Sequence, residues 1–295
     1  MKISNIIFNN IEQLGIGLQG GIVPVSILSQ ISGETALPKT VDEVIADPSK
    51  LNDLQATWEE YVAVLGDKVI PEDAVQFAPC VKHPGKIICI GLNYRPHVAE
   101  TKLDLPTDPI VFSKFANSLA ASGESIPMPK NSEKIDYEAE LCIVLGRRAQ
   151  SVTKENALDY VFGYCNGNDV SARDLQFRSH QWLLGKTCDK FAPIGPYLVT
   201  ADEIKNPNTL GIRTFVNGEK RQDSNTENMI FSCEKLIEDL SRHMTLEPGD
   251  IIMTGTPEGV ILGYPEENRV WLKDGDEVTV EIDGLGRLTN RFERR

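Results

Sequence analysis

The 295-residue sequence has no stretch approaching the ~20 apolar residues of a membrane-spanning helix. Its start, MKISNIIFNNIEQ, carries neither a long apolar run nor a cleavage-site pattern, so no signal peptide is expected. Positive charge is scarce: 30 Lys and Arg face 43 Asp and Glu, for a formal net charge of −13. Phosphate binding needs clustered Lys and Arg, so nucleic acid and anionic membranes are disfavoured as partners. An anionic substrate would need a local positive centre, and a bound cation supplies one. The six cysteines are dispersed and form no C-x-x-C, which predicts reduced, mostly buried thiols in a cytoplasmic protein. No G-x-S-x-G elbow occurs, which argues against a serine hydrolase. Internal repeats and low-complexity tracts are absent.

What is present is ordinary globular composition, 41% hydrophobic and 25% charged, with length for a sizeable core. Residues 1–31 read as short strands. Gly15, Gly17 and Gly20 spell G-x-G-x-x-G, but a dinucleotide site needs a helix to open at its end. The sequence that follows, GIVPVSIL, is β-branched and broken by Pro24, so a glycine-rich hairpin is predicted. Residues 41–66 suit helices separated near Asp47-Pro48. A proline-bearing stretch then places a boundary near residue 75, giving domains at 1–75 and 76–295. Beyond residue 86 strands outnumber helices and do not alternate regularly with them. Helical patterns intervene at 154–160 and 228–243. The fold class expected is α+β and β-rich.

The strand in KIDYEAELCIVLG (134–146) places Glu138 and Glu140 on one face, with Asp136 before them and Cys142 and Val144 after. A solvated strand face is the plain explanation of such a pair. The apolar flanks point instead to the core, where paired carboxylates repel unless a cation neutralises them. Asp169 ends another apolar strand. Three carboxylates without a histidine at ligand spacing suit Mg²⁺, or alternatively Mn²⁺ or Ca²⁺, rather than Zn²⁺. In GLNYRPHVAE (91–100), Pro96 suits a first helical turn, and His97 and Glu100 fall on one face. A surface pair or a general base both satisfy that spacing. Lys186 follows an apolar run, as a snorkelling lysine or as a fixed charge. Thr254, Gly255 and Thr256 form a turn able to meet a carboxylate, or simply a turn. Arg173 and Asp174 are adjacent and are expected to pair.

Taken in order, GLNYRPHVAE, YEAELCIVLG, NDVSARDLQ, QWLLGKTCDKFAPIGP, VNGEKRQ and GDIIMTGTPEGV resemble the fumarylacetoacetate hydrolase family over roughly residues 85–285. The resemblance implies a mixed β-sandwich roll, a small amino-terminal domain and a homodimer. It implies metal ligands at Glu138, Glu140 and Asp169, a catalytic dyad at His97 and Glu100, and an active-site lysine at Lys186. Substrate contacts are expected from Thr256, Gly255, Arg95 and Gln176. Cys188 stands where many relatives have an aromatic, and Pro96 where relatives often have a polar residue.

The activity implied is metal-dependent hydrolysis of a C–C bond in an acylpyruvate-like 2-oxo acid. The dyad would activate water and Lys186 would stabilise or protonate the leaving enolate. The same site suits decarboxylation of oxaloacetate or keto–enol isomerisation of a 2-hydroxyhepta-2,4-diene-1,7-dioate-type acid. A rival of another class is a metal-binding protein without catalysis, in which the carboxylates brace the fold.

Overall fold

A computed structural model describes residues 1–101 and 104–294. The chain is α+β and strand-rich, as its sequence predicts. Its larger sheet runs in the order Gly21–Pro24, Ile11–Leu18, Lys2–Phe8, Ala192–Thr200, Val161–Asn168, Ala139–Leu145, Ile251–Met253, Ile87–Gly91 and Ile110–Lys114. The five-stranded sheet runs Glu219–Asn225, Gly211–Val216, Glu277–Ile282, Gly286–Arg294 and Ser125–Met128. Among the described residues no helix is long and apolar enough to cross a membrane.

Ala139–Leu145 is central, so all seven of its residues are buried. Its period-2 alternation is divided between two cores. Ala139, Leu141, Ile143 and Leu145 pack with Leu236, Ile237 and Leu240 of the Cys233–His243 helix, and with Val280 and Ile282 of the second sheet. Cys142 and Val144 pack on the other face with Leu14, Val25, Leu28, Val41 and Val44 from the first part of the chain. Glu138 and Glu140 extend this second face towards the start of the strand.

The amino-terminal strands do not stand apart. Lys2–Phe8 pairs antiparallel with Ala192–Thr200, with Ile3 opposite Leu198, so one hydrogen-bonded sheet runs through both sides of residue 75. The glycine-rich stretch is a hairpin: Ile11–Leu18 pairs with Gly21–Pro24 around Gly20, whose φ is +95°, but Val25–Ser32 is a helix and not the further strand expected there, Pro24 standing just ahead of its first turn. Gly17 is small because a Cβ there would lie 2.6 Å from the Tyr197 ring. The helices Val41–Ala46 and Pro48–Tyr61 break at Asp47, whose carboxylate accepts from Ser49 N at 3.1 Å and caps the second helix ahead of Pro48. The predicted helix at 154–160 is a 3₁₀ helix over Lys154–Tyr160. All six cysteines are free thiols, and all but Cys188 are buried.

Candidate active site

Antiparallel pairing assembles the acidic cluster. Ala139 lies opposite Asn168, which brings the end of the Val161–Asn168 strand beside Glu138. Two bonds fix the junction: Glu138 N donates to Asn168 Oδ1 at 3.0 Å, and Asp169 N donates to Glu138 O at 2.9 Å. Glu138, Glu140 and Asp169 are all buried, and one ligand oxygen from each lies within 4.8 Å of the others. Two metal–oxygen bonds of about 2.1–2.5 Å bridge such a span.

Cations compensate two of the three carboxylates. Lys186 Nζ donates to Glu138 Oε2 at 2.7 Å and Asp169 Oδ2 at 2.9 Å. Lys114 Nζ pairs with Asp169 Oδ1 at 2.6 Å and donates to the carbonyls of Val170, Phe191 and Lys186. Arg173 pairs with Glu138 Oε1 at 2.7 Å and with Asp136 Oδ2 at 2.9 Å. Among the described residues Glu140 has no cationic partner; its Oε2 accepts from Gly255 N at 2.8 Å.

Acidities follow this distribution. Burial works against ionisation of Glu138, but Lys186 and Arg173 outweigh it and hold the carboxyl at about 2. For Glu140, burial is joined by repulsion from Asp169 and Glu138, and its carboxyl is pushed well above the ordinary range. Burial opposes the charge of Lys186, yet Asp169 and Glu138 raise its pKa. A buried carboxylate with no cation of its own, beside two others, is a site whose charge a divalent ion completes. The all-oxygen donor set suits a hard ion.

The dyad faces the same cavity. The Arg95–Thr101 helix buries His97, and His97 Nδ1 lies 2.7 Å from Glu100 Oε1. A carboxylate only accepts, so Nδ1 carries the hydrogen of this bond and Nε2 is the nitrogen left for other partners. Glu100 Oε2 accepts from Gly259 N at 3.0 Å. The carboxylate packs so closely on Gly263 that a Cβ there would lie 2.4 Å from its Cδ.

The cavity, about 610 Å³, is lined by His97, Glu100, Glu138, Glu140, Lys186 and Thr256, with apolar walls that include Phe112 and Trp182. Those two rings meet edge to face, their centroids 5.4 Å apart. Gln176 also lines it, and its Oε1 accepts from Arg173 Nη1 at 2.9 Å. Gly255 acts through its backbone N–H on Glu140. Arg95 is placed elsewhere. It is exposed, and its guanidinium donates to Met229 O at 2.9 Å.

Arg173 does not pair with Asp174, against expectation. Its fork points inward to Asp136 and Glu138, while Asp174 accepts from Ser132 Oγ at 2.6 Å and Glu133 N at 2.9 Å. Successive residues on a helical turn point apart, so adjacency in sequence did not make a pair. Lys114 and Asp136 escaped the sequence reading because their partners are remote. The only signal for Asp136 was its place on the glutamate face.

Residues 86–293 match the family defined by the carboxy-terminal domain of fumarylacetoacetate hydrolase. The chain is 41% identical over 283 residues to a mitochondrial oxaloacetate tautomerase of Rattus norvegicus, covering 96% of this chain and 88% of that one. It superposes on a fumarylacetoacetate hydrolase from Exiguobacterium antarcticum with a TM-score of 0.81 and 31% identity, over 100% of both chains. A maleylpyruvate hydrolase from a Sphingobium species, in complex with manganese(II) ion and pyruvate, gives a TM-score of 0.77 at 28% identity, over 100% of this chain and 99% of that one.

Proposed function

The chain belongs to the fumarylacetoacetate hydrolase family, and from that premise we propose that it interconverts the keto and enol forms of a small 2-oxo dicarboxylate, with oxaloacetate the first candidate, at a divalent-cation site formed by Glu138, Glu140 and Asp169. The observation that carries this reading is a cluster of three carboxylates, two of which line one cavity together with a lysine and a His–Glu pair. The choice of reaction draws support from the name of the rat relative. Keto–enol interconversion therefore takes precedence over the C–C hydrolysis that the sequence motifs imply.

Bound there, Mg²⁺ or Mn²⁺ supplies a Lewis acid that stabilises negative charge on a substrate oxygen. The chain's own residues handle the proton. His97 Nε2 accepts it from the carbon beside the 2-oxo group and delivers it to the enolate oxygen, and the reverse reaction carries it back from that oxygen to the carbon, while Glu100 holds the ring through Nδ1. Lys186 remains charged and adds a fixed ammonium where enolate charge develops. Thr256 binds the substrate carboxylate through its hydroxyl. Phe112 and Trp182 exclude water from the reacting carbon.

A second reading has its own support. A cavity of about 610 Å³ is larger than a four-carbon acid requires, which favours hydrolysis of longer acylpyruvates with the dyad activating water. The test follows the decay of enol oxaloacetate absorbance with purified protein and Mg²⁺ or Mn²⁺, against the ion alone, and pyruvate release from acetylpyruvate in parallel. Acceleration of enol decay that EDTA abolishes is expected. Pyruvate release from acetylpyruvate with no effect on the enol would overturn the tautomerase reading.

A further inference from the structure

The motif VNGEKRQ ends at Gln222, in the Glu219–Asn225 strand of the smaller sheet, and nothing above gives it a role. Its side chain is buried, at 1% exposure, and both ends of its amide are fully engaged. Oε1 accepts from Ala139 N at 3.1 Å and from Thr214 Oγ1 at 2.6 Å. Nε2 donates to Thr256 Oγ1 at 3.0 Å and to Pro257 O at 2.8 Å, with Glu258 O at 3.3 Å. The amide cannot be flipped. A backbone N–H needs the oxygen at one end, and two carbonyls need the NH₂ at the other.

Ala139 is the residue between the two glutamates, and Thr256 faces the cavity. One amide therefore ties the metal-ligand strand to the turn expected to meet substrate. It also fixes a direction. Thr256 Oγ1 receives a hydrogen from Gln222, so its own hydrogen must be donated elsewhere. Among the described residues that hydroxyl has no acceptor. We propose that Gln222 is a positioning residue: it orients the Thr256 hydroxyl so that its hydrogen is presented to a carboxylate in the cavity, at a distance set from Glu138 and Glu140 through Ala139.

The inference rests on the reading that Thr256 binds the substrate carboxylate, and the experiment separates the two. Pyruvate serves as the carboxylate probe. Its Kd for the Mn²⁺-loaded protein is measured by calorimetry for wild type, Thr256→Val, Gln222→Met and the double variant. KM and kcat for oxaloacetate are measured beside it. Each single substitution is expected to weaken pyruvate binding about ten-fold, the loss of one charge-assisted hydrogen bond. The double variant is expected to lose no more than either single one, because both remove the same bond. KM should rise with kcat nearly unchanged, a split that general loosening of the fold does not produce. Circular dichroism checks folding. If Gln222→Met does not fold, Gln222→Glu replaces it in the cycle, since a carboxylate keeps the bonds to Ala139 and Thr214 and turns an acceptor towards Thr256, which withdraws the hydroxyl hydrogen from the cavity. Wild-type affinity in Thr256→Val, or no pyruvate binding by wild type, overturns the carboxylate assignment and the inference together. Weakened binding in Thr256→Val beside wild-type binding in the Gln222 variant, or losses that multiply in the double variant, overturns the inference alone.

Discussion

Glu140 is held by the backbone of Gly255, whose N–H donates to Oε2 at 2.8 Å, and has no ion pair among the described residues. Glu140→Gln keeps the accepting oxygen and removes the charge. The variant should fold with unchanged or raised stability in EDTA, because repulsion from Asp169 and Glu138 is relieved. Its affinity for Mg²⁺ or Mn²⁺ should fall sharply, since one anionic ligand of three is gone. Calorimetric titration with Mn²⁺ checks this, and wild-type affinity in the variant would remove Glu140 from the ligand set.

Gly255 itself has little freedom to change. Its φ is +96°, and a Cβ there would lie 2.8 Å from Asn93 Cβ and 2.9 Å from Ile90 O. Gly255→Ala is therefore expected to lower stability by about 1–3 kcal/mol. It should also weaken the metal site, because the N–H that orients Glu140 shifts. Urea denaturation in the absence of metal reads the first effect separately from the second.

Arg173 occupies the junction between Asp136, Glu138 and Gln176. Its Nε and Nη2 reach Asp136 Oδ2 at 2.9 Å each, Nη2 reaches Glu138 Oε1 at 2.7 Å, and Nη1 reaches Gln176 Oε1 at 2.9 Å. Asp136 in turn accepts from Ile261 N at 2.8 Å and Leu262 N at 3.0 Å, which places the cavity-lining turn. Removing the guanidinium leaves the buried Asp136 without its cation and Glu138 with Lys186 alone. Arg173→Met should destabilise the fold by about 3–5 kcal/mol. Arg173→Lys retains charge without the planar fork and should recover only part of that loss. Denaturant midpoints of the two variants test the order.

Asp174, freed from the pairing that adjacency suggested, stabilises the fold in a pH-dependent way. Burial opposes its ionisation, but hydrogen bonds from Ser132, Glu133 and Leu175 outweigh it and hold its carboxyl below the ordinary value of 3.8. A folded pKa below the unfolded one means that the stabilisation is present above the unfolded pKa. It is lost as pH falls through the folded pKa. Asp174→Asn should therefore be less stable than wild type near neutral pH, by about 0.5–1.5 kcal/mol, with the gap closing below pH ~4. Melting temperatures across acid pH show whether the two curves converge.

Local pattern reached far into this molecule. The period-2 repeat of Ala139–Leu145 exposed the same-face glutamates, and Asp47-Pro48 marked a true helix break. The strand Gly21–Pro24 directly after Gly20 separates a hairpin from a nucleotide loop, although Val25–Ser32 beyond it is a helix where the β-branched pattern suggested strand. What stayed hidden was non-local. Lys114 meets Asp169 across 55 residues, and Arg173 meets Asp136 across 37, through strand pairings that no short window contains. Arg95 was drawn to the site by its neighbours in a motif, yet a helical turn directs it to Met229 O instead. Even the sheet joining Lys2–Phe8 to Ala192–Thr200 depends on a register between segments far apart in the chain, with Ile3 opposite Leu198.

His97 divides the candidate reactions. Its Nδ1 is fixed 2.7 Å from Glu100, and Glu100 is fixed to Gly259, so Nε2 is the ring nitrogen left for the cavity. If it moves the substrate proton, His97→Ala should lower kcat for oxaloacetate keto–enol interconversion by about 10²–10⁴-fold while leaving Mn²⁺ affinity intact. Glu100→Gln should fall between wild type and His97→Ala, because an amide can still accept the Nδ1 hydrogen and orient the ring but brings no negative charge beside it. Glu140→Gln should damage turnover through the metal, so its loss should be accompanied by weaker Mn²⁺ binding. Decarboxylation of oxaloacetate needs an electron sink and no base in its bond-breaking step. A measurable share of any such activity should therefore survive in His97→Ala. Enol absorbance and carbon dioxide release, followed on the same purified variant at saturating Mn²⁺, provide the comparison. Equal losses in both activities would show that His97 and Glu100 shape the cavity wall near Gly263 rather than handle the proton.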